Sequence, residues 1–156
     1  MYSSPIHLID CHIARPARDI LNEFEYLALR RTSEKIYSGQ WRIVTGKVEQ
    51  SEFAWQAARR EVIEETQFHD FRFFVIPFVS SFYEQEYDRL SHIPVFLALV
   101  NQRIDPILND EHSDFRWCSI DEITELLDWK NQRDGVLAAE SLLKSREELI
   151  SSLEIL

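Results

Sequence analysis

The chain has few of the residues that mark fibrous, disulfide-rich or linker sequences. Only 3 glycines and 2 cysteines occur among its 156 residues, which excludes collagen-like repeats, glycine-rich linkers and a disulfide scaffold. Cys11 and Cys118 form no zinc-type pair, so we expect reduced thiols. The start of the chain lacks a basic segment followed by an apolar one, and no apolar run reaches the roughly 18 residues of a membrane span. These absences predict a soluble, cytoplasmic protein with no membrane partner.

Positive charge is also scarce, because 17 lysine and arginine residues stand against 27 aspartate and glutamate residues, for a net charge of −10. Such a chain is a poor ligand for the backbone of DNA or RNA, and we expect no nucleic-acid partner. A small phosphate ligand is compatible with this charge, since a bound divalent cation can reverse the local field. At 156 residues and 45% hydrophobic content, the chain is predicted to fold as one domain over residues 1–156, as a monomer or homodimer.

Hydrophobic patterning predicts a mixed α+β fold. The strands are predicted at 6–14, 23–31, 41–46, 69–84, 92–100 and 114–118. The helices are predicted at 52–66, 120–127 and about 131–150, and the loops at 32–40 and 101–114. Ser119 and Glu122 form a capping box at the start of the second helix. The order of elements favours a mixed sheet with helices packed on it over a doubly wound α/β repeat.

The segment 46–68 contains three glutamates at helical spacing. Glu61, Glu64 and Glu65 lie three and four residues apart, so they share one arc of the predicted helix. Three like charges there would repel one another, whereas Mg²⁺ prefers carboxylate oxygens and keeps waters for substrate phosphates. Arg60 lies off the arc of these three glutamates and can bridge to Glu52 or Glu64, which would fix the carboxylate rotamers. A solvated acidic helix face is the alternative for an isolated charge run of this kind.

Residues at fixed spacing occur in this segment in addition to the three glutamates. The residues that match a fixed pattern are Gly46, Glu52, Arg60, Glu61, Val62, Glu64, Glu65 and Phe68. This pattern resembles the Nudix box, with eight of its nine defined positions present. The one departure is Gln67, where the family usually has glycine. A glycine there favours a left-handed backbone after the helix, and a side chain in that conformation costs roughly 1 kcal/mol.

The resemblance extends beyond the box. The segments concerned are WRIVTGKVE at 41–49, DEHSDFRW at 110–117 and LDWKNQRDGV at 127–136. They are similar to the Nudix branch that includes dihydroneopterin triphosphate and dATP pyrophosphohydrolases. The resemblance implies the Nudix αβα sandwich with a mixed central sheet. It also implies Mg²⁺-dependent hydrolysis of a diphosphate linked to another moiety, with Mn²⁺ as a second candidate ion.

The resemblance also implies the residues of a metal site. Glu61 and Glu65 correspond to metal-binding carboxylates of the family, Glu64 adds to them, and the Gly46 carbonyl is a further candidate ligand. Glu111 matches a carboxylate that the family often supplies from a loop before a late strand. An exposed loop acid is the alternative reading of Glu111. Either Glu64 or Glu111 is a candidate general base for the attacking water.

Four more residues match substrate-contacting positions in the similar branch. Arg30 could pair with phosphate, and Thr45 matches another substrate-contacting position, although both could be ordinary strand residues. Asp128 and Asn131 flank Trp129 and could line a base or pterin pocket, although Trp129 is as compatible with the core. The five histidines are scattered and show no i, i+4 zinc spacing, so we expect no histidine metal cluster.

Taken with the resemblance, the sequence predicts a Nudix pyrophosphohydrolase. Its substrate would be a nucleoside triphosphate of the dATP type or a pterin triphosphate, cleaved to a monophosphate and pyrophosphate. A dinucleoside polyphosphate or sugar-nucleotide hydrolase shares the same box and stays open. A catalytically silent domain that senses a nucleotide is the third reading, and the three box glutamates argue against it.

Overall fold

The computed structural model describes residues 6–33 and 37–156, so the first five residues and the middle of the loop predicted at 32–40 lie outside the described residues. The strands are Leu8–Pro16 (β1), Phe24–Arg31 (β2), Trp41–Arg42 (β3), Val44–Lys47 (β4), Arg72–Glu84 (β5), Arg89–Leu99 (β6) and His112–Cys118 (β7). The helices are Ala54–Thr66 (α1), Ile120–Leu126 (α2), Lys130–Leu143 (α3) and Glu147–Ser152 (α4). In the described ranges, no helix is long and apolar enough to cross a membrane.

The strands form one mixed sheet. Its main path runs β3-β2-β1-β6-β5, with β4 paired to β1 and β7 paired to β2. The β1–β6 pair is parallel, and the other strand pairs are antiparallel. A single strand, β1, therefore pairs with β4 through its first half and with β2 through its last residues.

Helices cover both faces of this sheet. Alternate residues of β6 belong to two separate hydrophobic clusters, with Val95 in one and Phe96 in the other. The first cluster contains Ile123 of α2 and Val136 of α3, and the second contains Val62 of α1. Because neighbouring strand residues point to opposite faces, the sheet lies between α1 and the later helices. The predicted αβα sandwich is confirmed.

Local hydrogen bonds define both ends of the first helix. The backbone N–H of Phe53 donates to the Gln56 side chain at 2.8 Å, which starts the helix two residues later than predicted. At the other end, Gln67 has φ 62° and ψ 20°, and its N–H donates to the Ile63 carbonyl at 2.9 Å. The left-handed conformation expected where the family has glycine is therefore present, with glutamine occupying it.

Two predicted elements are divided in the structure. The strand predicted at 41–46 changes partner at Ile43, since β3 pairs with β2 whereas β4 pairs with β1. The helix predicted at 131–150 breaks between α3 and α4. After α4, the chain forms a bridge between Glu154 and Phe74 on the edge of β5. The break turns the chain so that Ile150 still enters the core and the tail reaches this edge.

Candidate active site

The helix α1 packs closely on the sheet and divides its three glutamates between interior and solvent. Ala57 and Ala58 are completely buried, and their small side chains let the helix backbone approach the strands. The side chains of Glu61 and Glu65 are 11% and 1% exposed, whereas that of Glu64 is 50% exposed. Two of the three predicted ligands thus face the sheet, and the third lies at the water-facing rim.

Gly46 of β4 lies directly beneath Glu61. A Cβ atom built on Gly46 would overlap the Glu61 carboxyl group. This close approach requires a residue without a side chain, which gives a physical reason for glycine at the first position of the box. The contact also brings the Gly46 backbone next to a predicted metal-binding carboxylate.

Arg60 holds the acidic residues around it in fixed positions. Its guanidinium donates to Glu52 at 2.7 Å, to Glu61 at 2.9 Å and to Glu64 at 3.3 Å. It also donates to the Lys47 carbonyl at 3.0 Å, which ties the end of β4 to α1. The hydrogen bond from Arg60 lowers the pKa of Glu52. The contacts of Arg60 to Glu52 and Glu64 that the sequence suggested are present, and Arg60 also contacts Glu61.

Glu111 and His112 bring the start of β7 to the buried end of α1. Glu65, Glu111 and His112 each offer one ligand atom, and these atoms lie within 4.8 Å of one another. His112 Nδ1 lies 3.3 Å from Glu65 Oε1. The loop is fixed because the Glu111 N–H donates to the Asn109 side chain at 3.0 Å and the Glu111 carbonyl accepts from Thr32 N–H at 3.0 Å.

The electrostatics of this cluster favour a bound positive charge. Burial raises the pKa of Glu65 well above its usual range, and the charges of Glu111 and Glu61 raise it further. Burial also lowers the pKa of His112 to about 4, with help from the charges of Arg31 and Arg42. At neutral pH the imidazole is therefore neutral, which is the form that binds metals.

The donor set fits a divalent cation. Both carboxylate oxygens of Glu65 and the Nδ1 atom of His112 are buried and lack a hydrogen-bond partner among the described residues. Buried polar atoms are nearly always satisfied in native proteins, so a cluster of unpaired ones needs a water, an ion or another partner. Carboxylate oxygens and a neutral imidazole nitrogen are ordinary metal ligands.

The four predicted substrate residues occupy other contacts. The Arg30 guanidinium donates to the Gly39 carbonyl at 3.3 Å, and Thr45 pairs with Asp10 in the sheet. Asp128 accepts from the Trp41 N–H at 3.1 Å, and Asn131 donates to the Ser81 carbonyl at 3.1 Å. In the described part of the chain, no hydrogen bond or ion pair joins these four to the carboxylates of α1.

Arg30 and Asp128 nevertheless share a neighbourhood. Arg30 is the register partner of Trp41, whose backbone N–H donates to Asp128. Trp129 is 43% exposed, and its indole donates to the Gln40 side chain at 3.0 Å. Trp129 is therefore not a core residue, and part of its aromatic surface is accessible to solvent near Asp128.

His112 is the residue that sequence reasoning missed. The expectation of no histidine cluster rested on helical i, i+4 spacing, which does not apply to a residue at the start of a strand. The available signal was the adjacency of His112 to Glu111.

Comparison with known proteins agrees with this geometry. A sequence model of the NUDIX domain matches residues 12–139. Comparison with curated protein sequences gives no significant match. Among solved structures, a Listeria monocytogenes protein classed with the NUDIX hydrolases has a TM-score of 0.76 at 20% identity, covering 90% of this chain and 95% of that one.

Two further solved structures have a similar fold. A C. elegans Ap4A hydrolase has a TM-score of 0.72 at 20% identity, covering 88% of this chain and 97% of that one. The E. coli dihydroneopterin triphosphate pyrophosphohydrolase has a TM-score of 0.64 at 20% identity, covering 82% of this chain and 91% of that one.

The family match includes most of the sheet, the whole of α1 and the loop that supplies Glu111. Residues of the box also contact one another, with Arg60 bound to Glu52 and Glu61, and Gly46 packed on Glu61. The chain therefore belongs to the Nudix family of hydrolases that act on phosphoanhydride bonds.

Proposed function

We propose that this protein is a divalent-metal-dependent pyrophosphohydrolase whose substrate is a nucleoside triphosphate of the dATP type or dihydroneopterin triphosphate. The observation that carries the proposal is the convergence of Glu61, Glu65 and Glu111. Ligand atoms of Glu65 and Glu111 lie within 4.8 Å of each other, and the charges of Glu111 and Glu61 add to the effect of burial in raising the pKa of Glu65. Mg²⁺ is the proposed ion, with Mn²⁺ as a substitute.

Each residue has a role that follows from its position. Glu65, Glu111 and Glu61 would hold the cation, and the Gly46 carbonyl would supply one more oxygen. A bound divalent cation would neutralise phosphate oxygens and lower the pKa of an attacking water. Arg60 orients Glu61 through its 2.9 Å hydrogen bond and so acts as a positioning residue.

The proposed reaction consumes one water. The water oxygen bonds to a phosphorus of the triphosphate while the bond from that phosphorus to a bridging oxygen breaks. The bridging oxygen leaves with the electron pair, which yields pyrophosphate and a monophosphate. Glu64 or Glu111 takes the water proton, since both side chains are partly open to solvent, at 50% and 38% exposed.

The remainder of the substrate would contact the predicted binding residues. Arg30 would pair with phosphate, Thr45 would offer its hydroxyl, and Asp128 and Asn131 would border the base or pterin beside the exposed Trp129. The Arg30–Trp41 register pair and the Asp128 contact to Trp41 support this grouping. The same proposal includes a cytoplasmic location and a monomeric or homodimeric state.

A second candidate substrate is a dinucleoside polyphosphate or a sugar nucleotide. The fold similarity to an Ap4A hydrolase, with a TM-score of 0.72, supports testing it. The same carboxylate site would serve either substrate, because the two differ only in the moiety attached to the cleaved diphosphate.

A substrate screen tests the proposal. Purified protein with Mg²⁺ or Mn²⁺ is offered dihydroneopterin triphosphate, dATP, Ap4A and a nucleotide sugar, and released pyrophosphate is measured against phosphate. We expect pyrophosphate from a triphosphate, none in excess EDTA, and a fall of roughly a hundredfold or more in Glu61→Gln and Glu65→Gln. Glu125→Gln changes an exposed acid of α2 and is the matched control. Nucleotide binding without hydrolysis would support the sensing domain instead.

A further inference from the structure

The start of β7 presents a nitrogen atom to the carboxylate cluster. The His112 side chain is 2% exposed, and its Nδ1 atom lies 3.3 Å from Glu65 Oε1. His112 pairs with Arg31 of β2, just beyond a register irregularity between Arg30 and Arg31, and α1 packs over the same face of the sheet. The imidazole reaches the cluster from this irregular end of the β2–β7 pair.

The contact lacks the geometry of a simple hydrogen bond. His112 Nδ1 and both oxygens of Glu65 have no hydrogen-bond partner among the described residues, although the two side chains are almost completely buried. Two neighbouring ligands of an octahedral ion, each about 2.1 Å from it, lie about 3 Å apart. The observed spacing suits two atoms that share one cation.

We propose that His112 Nδ1 is a ligand of the cation held by Glu65 and Glu111, and that this nitrogen raises the affinity of the site for first-row transition ions relative to its affinity for Mg²⁺. The chemical basis is that Mg²⁺ is satisfied by oxygen ligands, whereas imidazole suits the later transition ions such as Co²⁺ and Zn²⁺. The inference rests on the proposed function only in assigning a divalent cation to these carboxylates.

The rival explanation is that His112 only positions the Glu65 carboxylate. The two explanations differ in which metals they affect. Loss of a nitrogen ligand weakens binding of a transition ion far more than binding of Mg²⁺, whereas loss of a positioning contact weakens both alike. The ratio of the two affinities therefore separates them.

The first test uses Mn²⁺ as a spectroscopic probe in the unaltered protein. With one equivalent of Mn²⁺ bound, electron spin-echo spectra should show coupling to a nitrogen nucleus, and labelling histidine with ¹⁵N should change that coupling. This measurement requires no variant, so a failure of a His112 variant to fold leaves it intact. Bound Mn²⁺ without histidine nitrogen coupling would overturn the proposal.

The second test measures the dissociation constants of Co²⁺ and Mg²⁺ by titration and competition. For His112→Gln we expect the preference for Co²⁺ over Mg²⁺ to fall by roughly tenfold or more, because the variant loses a nitrogen ligand that suits Co²⁺ and that Mg²⁺ does not need. His69→Gln, at an exposed histidine just beyond α1, should leave the ratio unchanged. Equal weakening of both ions in His112→Gln would overturn the proposal in favour of a positioning role.

These outcomes are separable from those of the proposed function. Hydrolysis supported by Mg²⁺ without nitrogen coupling would remove His112 from the ligands and keep the enzyme. Nitrogen coupling without hydrolysis of any tested phosphate would keep the ligand and remove the proposed activity.

Discussion

The charge on Glu65 should destabilise the metal-free protein. Its carboxylate is 1% exposed, has no hydrogen-bond partner among the described residues, and lies near Glu111 and Glu61. The Glu65→Gln variant keeps the shape and removes the charge. Its amide can also donate a hydrogen bond to a neighbouring carboxylate, which the charged side chain cannot do. We therefore expect the variant to be more stable than the wild-type protein when no cation is bound.

The size of the gain follows from opposing terms. An unsatisfied buried polar group costs about 1–3 kcal/mol, and more when it is charged, while the charge of Arg42 offsets part of this cost. We expect a gain of about 1–2 kcal/mol at pH 8, or a few degrees in melting temperature. Because the pKa of Glu65 is raised in the folded state, wild-type stability falls as pH rises above the usual glutamate range. The gain should therefore be small at pH 5.

Adding a cation should reverse the order of stability. At a concentration a hundredfold above its dissociation constant, a ligand of the folded state adds about 2.7 kcal/mol, and the variant should lose most of that increment. Thermal unfolding in EDTA and in saturating Mn²⁺ measures both effects. Glu64→Gln, at an exposed position, should change stability in EDTA by no more than about 0.5 kcal/mol. A Glu65→Gln protein that melts below wild type in EDTA at pH 8, or keeps the full cation shift, would refute this reasoning.

Three other substitutions test local features. Gln67→Gly should raise the free energy of unfolding by about 0.5–1 kcal/mol in urea titrations, because φ is 62° there; a decrease would contradict the strain. Asp10→Asn should stabilise at pH 8 by about 1–2 kcal/mol and change little at pH 4, because burial raises the pKa of Asp10 to about 7 and wild type loses stability between those values. Gly46→Ala should displace Glu61 and cut turnover at least about tenfold; unchanged kinetics would show that the strand yields instead.

Local patterns were sufficient for the elements whose ends depend on nearby residues. The capping box of α2 is present, with Ser119 accepting from Glu122 N–H at 3.2 Å and Glu122 accepting from Ser119 N–H at 2.9 Å. The left-handed residue after α1 is also at the predicted position. Both features are determined within a few residues, so the sequence around them contains the necessary information.

Elements whose ends depend on distant partners were misjudged. The strand β1 extends to Pro16, beyond the predicted end at 14, because its last residues pair with β2. No glycine or proline in the sequence indicates the break between α3 and α4. After the break and α4, Glu154 pairs with Phe74 on the edge of β5. A local window of sequence contains none of these partners.

The candidate site likewise contains residues that local sequence identifies and one that depends on distant partners. The periodicity of α1 puts Glu61, Glu64 and Glu65 on one arc, and the resemblance to the Nudix box selects Glu61 and Glu65 as the candidate ligands. His112 belongs to a strand, and its approach to Glu65 depends on the register of β7 against β2 and on the packing of α1 over the sheet. A search for ligand spacing on one helix finds only the ligands of that helix. His112 can be proposed as a nitrogen ligand only once the pairing of β7 with β2 is known. The ratio of Co²⁺ to Mg²⁺ affinity then tests whether His112 binds the cation.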